Sequence, residues 1–188
     1  MSVVCGIGIN DAEYVVQKVG WICPFYLTWH NMLKRCYTEK YQKAQPSYRG
    51  CYVCSDWLTF SNFKAWMEIQ DWKDMELDKD LLVKGNREYS PDTCVFINKL
   101  TNTFTSERQN QRGLYPIGVG LHKQSGLFRA RCGDLRGGRK NIGYFHTAQE
   151  AHQAWLQYKL TLAVELASMQ KDSRVAEALI RRYTDYEE

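Results

Sequence analysis

The 188-residue chain is 44% hydrophobic and 13% aromatic, which supplies one large core or two small ones and argues against global disorder. No apolar run approaches the roughly 20 residues of a membrane span, and no charged-then-apolar leader opens the sequence. A cytoplasmic protein with no membrane partner is therefore expected. The net charge is only +4, but it is unevenly distributed. Residues 1–111 carry 13 Lys/Arg against 13 Asp/Glu, residues 112–160 carry 8 against 2, and residues 161–188 carry 4 against 6. A basic excess confined to one short stretch is the electrostatic pattern of a phosphate-binding surface.

In chain order, Pro24 opens a helical pattern with Phe25, Trp29, Met32, Leu33 and Cys36 at helical spacing. A polar connection, 38–50, leads to a short strand at Cys51–Cys54. Ser55 or Asp56 is placed to cap a second amphipathic helix carrying Trp57, Phe60, Phe63, Trp66 and Met67. These aromatic stripes are read as core, because helical spacing already explains them. Next come a strand from Leu77 to Leu82, a loop from Lys84 to Asp92, a strand from Thr93 to Ile97, and a short helix from Asn98 onward. The run from Thr105, with two arginines and two glutamines, reads as a linker.

Three strands and a long helix follow. Val119 and Leu121 alternate with Gly120 and His122, and Phe128, Ala130 and Cys132 alternate with Arg129 and Arg131. Arg139 to Phe145 forms the third strand after a turn at 133–138. Thr147 with Glu150 three residues on is a capping box for a helix bearing Ala151, Ala154, Trp155, Tyr158, Leu162 and Leu166. A final helix runs from about Arg174 to Tyr183. The fold class is α+β: a small ββα domain preceded by two helices (1–104), a linker (105–112), a three-stranded antiparallel sheet packed on a long helix (113–171), and a C-terminal helix (172–188).

Seven cysteines in a chain without a secretory signal read as reduced thiols. Cys51 and Cys54 have the spacing of half a zinc site. Cys36 and Cys94 are scattered and no second close pair exists, so zinc is not expected. In the C-terminal sheet, if Phe128, Ala130 and Cys132 face the helix, Arg129 and Arg131 must face away. His122, Lys123, Arg136, Arg139 and Lys140 are expected near that same outer face. With Asp134 the one acidic residue of the sheet, double-stranded DNA is the partner that the charge balance favours.

The segments Ile117-Gly-Val, Gly126-Leu-Phe-Arg-Ala-Arg and Asn141-Ile-Gly-Tyr-Phe-His-Thr-Ala-Gln-Glu-Ala-His-Gln-Ala-Trp resemble the APETALA-type DNA-binding domain of plant ethylene-response factors and bacteriophage proteins. The resemblance rests on Ile142, Gly143, Phe145, Thr147, Glu150, Ala151 and Ala154 and covers about a quarter of the chain. It implies a three-stranded sheet entering the major groove, with Arg129, Arg131 and Arg139 in DNA-contacting positions.

Upstream, Trp29, Met32, Leu33, Arg35, Cys36, Tyr37, Trp57, Phe60, Leu77-Asp-Lys-Asp80 and Tyr89-Ser-Pro91 resemble phage HNH (His-Me finger) homing endonucleases that carry an APETALA-type tail. That likeness implies a magnesium- or manganese-dependent phosphodiester-cleaving site. Asp78 and Asn102 would be the metal ligands, Lys79 would stand where the catalytic histidine belongs, and Thr93 would stand at the middle asparagine position. A lysine with a pKa of about 10.4 is a cation at neutral pH rather than a base. None of His30, His122, His146 and His152 lies in this segment, and His30 reads as a helix-surface residue. Two alternatives remain open: a catalytically degenerate DNA-binding protein, or a basic protein-binding module that regulates or inhibits an acidic partner such as a host protein. If the chain is phage-encoded, its compartment is the host cytoplasm.

Overall fold

A computed structural model describes residues 1–106 and 114–186. The chain is α+β and divides into two compact units, residues 1–98 and 99–188.

The first unit begins with two hairpins that the sequence pattern did not reveal. Strands β1 (Ser2–Val4) and β2 (Gly8–Asn10) are antiparallel, and their turn uses Cys5 and Gly6 at φ 50° and 79°. Strands β3 (Gln17–Lys18) and β4 (Trp21–Ile22) close at Gly20. Helix α1 (Pro24–Tyr37) buries Trp29, Met32, Leu33 and Cys36, as its spacing predicts. Two features correct the sequence reading here. The polar connection after Thr38 folds into helix α2 (Glu39–Ala44) and a single 3-10 turn, Pro46–Tyr48.

The second aromatic helix, in turn, does not start at Ser55 or Asp56. Ser55–Leu58 forms a 3-10 turn, and helix α3 (Phe60–Glu68) begins only after Thr59, with no side-chain cap. Thr59 is extended because its backbone bridges Ile9 of β2, which interrupts the helix. The aromatic stripes nonetheless meet in one core containing Trp29, Trp57, Phe60 and Phe63, and Trp29 Nε1 donates to the Trp57 carbonyl at 2.7 Å. Each such fully buried large side chain contributes roughly 2–3 kcal/mol of transfer free energy.

Strand β5 (Tyr52–Val53) pairs in parallel with β7 (Glu88–Tyr89), which lies inside the segment expected as loop. Strand β6 (Glu76–Asp78) pairs antiparallel with β8 (Val95–Ile97). The strand expected to reach Leu82 thus stops at Asp78.

In the second unit, helix α4 (Lys99–Thr105) leads toward the sheet. Of the expected linker 105–112, residues 107–112 lie outside the described residues. Strands β9 (Val119–His122), β10 (Leu127–Gly133) and β11 (Arg139–Phe145) form an antiparallel sheet in the order β11-β10-β9. It packs on α5 (Ala148–Ser168), whose capping box forms as read: Glu150 N donates to Thr147 Oγ1 at 3.1 Å, and Thr147 N donates to Glu150 Oε2 at 3.0 Å. Gly118, at φ 81°, lies flush against the Trp155 ring, where any Cβ would collide.

Helix α6 (Ser173–Thr184), capped by Asp172, packs on α5. Together these two helices hold the carbonyls that α4 leaves unpaired at its C-terminus. Phe104 O accepts from Lys159 Nζ at 2.9 Å and from Tyr183 Oη at 3.2 Å, and Thr105 O accepts from Arg182 Nη2 at 3.0 Å. The Lys159 ammonium also lies 3.4 Å from the Phe104 ring centroid. Cations at a helix C-terminus are favourable for both the orphan carbonyls and the helix dipole.

Candidate nucleic-acid interface

Directly opposed residues of an antiparallel sheet share a face, so the register assigns each side chain. Arg129 lies opposite Gly120 on one side and Tyr144 on the other. Ala130 and Cys132 are buried toward α5, Arg131 is exposed and Arg129 is half-buried, which is the expected strand phase. A β-bulge then intervenes: Ala130 pairs with Gly143 but Arg131 pairs with Asn141, leaving Ile142 as the extra residue.

The bulge decides which basic residues face outward. It sets Arg139 opposite Gly133, on the face of Arg129 and Arg131, and sets Lys140 opposite the buried Cys132. Lys140 therefore extends along the helix side, its ammonium 5.1 Å from the Tyr158 ring centroid. The expectation that Lys140 shares the outer face is corrected, because a one-residue slip exchanges the two faces of a strand.

His122 lies on the outer face, edge-on to Tyr144 at 5.1 Å, with Nδ1 2.9 Å from Ser125 Oγ. Lys123 and Arg136 are exposed in the two hairpin turns rather than on strands. Asp134, the acidic residue of the sheet, has its Oδ1 occupied: it accepts from the amides of Arg136 at 2.9 Å and Gly138 at 2.6 Å. Among the described residues, none of Arg129, Arg131, Arg136 and Arg139 is in an ion pair with a carboxylate. Arg129 Nε is buried without a hydrogen-bond partner. A cleft of about 460 Å³ opens over Gly118 and Gly120, lined also by Arg129, Arg131, Arg139, Trp155 and Lys159, and among the described residues no carboxylate lines it.

The loop of the first unit is built differently. Lys79, expected at a catalytic position, is only 5% exposed. Its ammonium donates to Asp80 Oδ1 at 2.6 Å and to the Asn86 carbonyl at 2.7 Å, and lies 5.9 Å from the Tyr89 ring centroid. Asp78 Oδ1 accepts the amides of Asp80 at 2.9 Å and Leu81 at 2.7 Å, which turns the chain and ends β6. Burial pushes the Asp78 carboxyl above the usual carboxylate range.

Thr93 Oγ1 donates to the Glu88 carbonyl at 2.9 Å and lies 3.0 Å from Ser90 Oγ. The residue that organises the loop was missed. Asn86 Nδ2 donates to the Lys79 carbonyl at 2.8 Å and to the Glu88 carbonyl at 2.6 Å, while its Oδ1 accepts from Glu88 N at 3.1 Å. A signal was present, since asparagine after a turn glycine commonly bonds nearby backbone.

Asp78, Lys79, Asn86 and Thr93 thus share one loop network, whereas Asn102 lies on α4 in the second unit. Asp78 Oδ1 already accepts two amides, and a buried ammonium stands next in sequence. Among the described residues, no group of three or more His, Cys, Asp and Glu is placed to hold a metal.

Cys51 is buried and Cys54 half-buried on either side of β5. Burial pushes the Cys36 and Cys94 thiols up to about 12. His30 is half-buried and stacked on Tyr26 rather than standing on the helix surface, and burial lowers its pKa. His146 is exposed, and His152 is buried with Nδ1 2.9 Å from the Ile117 carbonyl.

Comparisons with protein-family models, with curated proteins and with solved structures returned no match. Among the described residues, no helix is long and apolar enough to cross a membrane.

Proposed function

We propose that the chain binds double-stranded DNA through the outer face of the β9–β10–β11 sheet, and that its first unit is a non-catalytic scaffold of the HNH type. The observation that carries this reading is the placement of Arg129, Arg131 and Arg139 on one face, where the nearby acid Asp134 has its Oδ1 engaged by backbone amides. Guanidinium groups suit both phosphate oxygens and the guanine edge in the major groove, and a small sheet fits that groove. The Lys79 contacts support the non-catalytic part. The Lys79 Nζ is engaged in donating to Asp80 Oδ1 and the Asn86 carbonyl, which supports a loop-organising role for this position.

Fluorescence anisotropy with labelled duplexes across a salt series tests the first statement, and magnesium-dependent nicking of supercoiled plasmid tests the second. The expected result is retention that falls steeply with salt, because several phosphate contacts release counterions, together with no nicking. Retention that stays flat with salt would point instead to an acidic protein partner. Nicking that disappears in Asp78→Ala would return the first unit to the endonuclease class.

A further inference from the structure

Most glycines of the second unit have a local reason to be glycine. Gly118, Gly126 and Gly137 sit at positive φ, a Cβ on Gly143 would press on the Phe145 ring, and one on Gly138 would meet the Asp134 carboxylate. Gly133 would place a Cβ in ordinary contact with the Gly138 carbonyl, at 3.7 Å. Gly120 differs. It lies within β9 at an ordinary φ, and a Cβ built on it meets nothing within 4 Å. Neither backbone nor packing calls for glycine there, and a glycine inside a strand weakens it. Such a glycine often marks a place where a ligand comes close to the backbone.

What surrounds that open space identifies the ligand chemistry. Gly120 is directly opposite Arg129 and lines the same cleft as Arg129, Arg131 and Arg139. The cleft, about 460 Å³, is lined by these three arginines together with Trp155 and Lys159 of α5, and among the described residues no carboxylate lines it. One of those arginines, Arg129, keeps its Nε buried and unpartnered. A buried donor without a partner is costly unless an acceptor arrives.

Resting on the DNA-binding reading above, we infer that Gly120 is the floor of a phosphate seat. One phosphodiester of the bound duplex descends onto the bare backbone at Gly120, and Arg129, Arg131 and Arg139 close around it. Gly120 is then a positioning residue. It contributes no group of its own, and its missing side chain sets how deeply the strand enters among the arginines.

The test is a size series in the full chain, Gly120→Ala, Gly120→Val and Gly120→Leu. Folding is checked by thermal unfolding, and binding is measured on several duplexes of unrelated sequence over a range of salt. Because the Cβ points into open space, all three variants should fold like the parent. Affinity should fall in order of side-chain size, reaching roughly tenfold or more for Leu, alike on every duplex. The slope of log K against log salt should become shallower by about 1 as one phosphate contact is lost.

A parent chain that shows no salt-dependent DNA binding would overturn the DNA-binding reading itself. A parent that binds while the series stays flat would overturn only this inference. A loss confined to particular sequences would overturn it as well, since it would assign the cleft to a base edge. If even Gly120→Ala unfolds the chain, Gly120 is a folding glycine and the seat falls with its premise.

Discussion

The two units place their cations in opposite situations. In the first, Lys79 is enclosed, and its charge is met within the loop by a carboxylate, a carbonyl and the face of Tyr89. In the second, Arg131 and Arg139 stand on an outer face whose one local acid, Asp134, holds the backbone of a turn instead. A charge satisfied internally stabilises a conformation, whereas one left toward solvent is available to a partner. Residue type alone does not distinguish these roles; the direction taken by the neighbouring carboxylates does.

The contrast can be broken at several points. The largest effect is expected from Gly118→Ala, which combines a positive φ with a collision against Trp155. Together these should cost about 3–5 kcal/mol, read by denaturant unfolding, and DNA binding should disappear along with the sheet. Lys79→Met should cost about 2–3 kcal/mol, toward the low end for a broken buried pair because Asp80 is half-exposed and can be rehydrated. Under native conditions that variant should bind DNA like the parent. A matching loss of binding would show that the two cation sets are not separate in role.

Arg131→Ala should weaken DNA binding by roughly 1–3 kcal/mol and leave the unfolding midpoint nearly unchanged. Lys140→Ala, on the helix side of the same sheet, should affect binding less, so equal losses from the two would contradict the bulge assignment. The smallest effect concerns pH. Burial, then the charge of Lys34, holds the His30 imidazole below its usual range. A group with a depressed folded pKa favours the fold when neutral. Its contribution is complete above the unfolded value of about 6.5 and is lost as pH falls toward the folded value. Unfolding midpoints recorded from pH 7.5 downward should show this decline, and His30→Gln should flatten it.

The parts legible in the sequence were those whose determinants lie within a few residues. Thr147 and Glu150 announce their helix because both capping groups sit in one turn. The alternation around Ala130 and Cys132 sets the faces of β10 because the strand period is two. The bulge was hidden, since Ile142-Gly143 reads as ordinary strand and only pairing with β10 reveals the extra residue. The hairpins before Pro24 were hidden too, because strands of two or three residues are too short to display alternation. For the loop of the first unit, Asp78, Lys79 and Thr93 were singled out by position in a motif, but their contacts give them backbone-organising work. The local chemistry of Asn86 pointed to that work more directly than the motif did.

The clamp on the end of α4 has a consequence for the rates of folding. Phe104 and Tyr183 are separated by 79 residues, and Thr105 and Arg182 by 77, so both contacts close long loops. Loop closure of that span carries a large entropy cost, and the hairpins of the sheet can form long before it. Contacts made after the folding barrier act mainly on the rate of escape from the folded state. On that order of events the Tyr183 hydroxyl would act as a brake on unfolding. Removing it in Tyr183→Phe should steepen the loss of the native state with time while leaving the speed of its formation almost untouched.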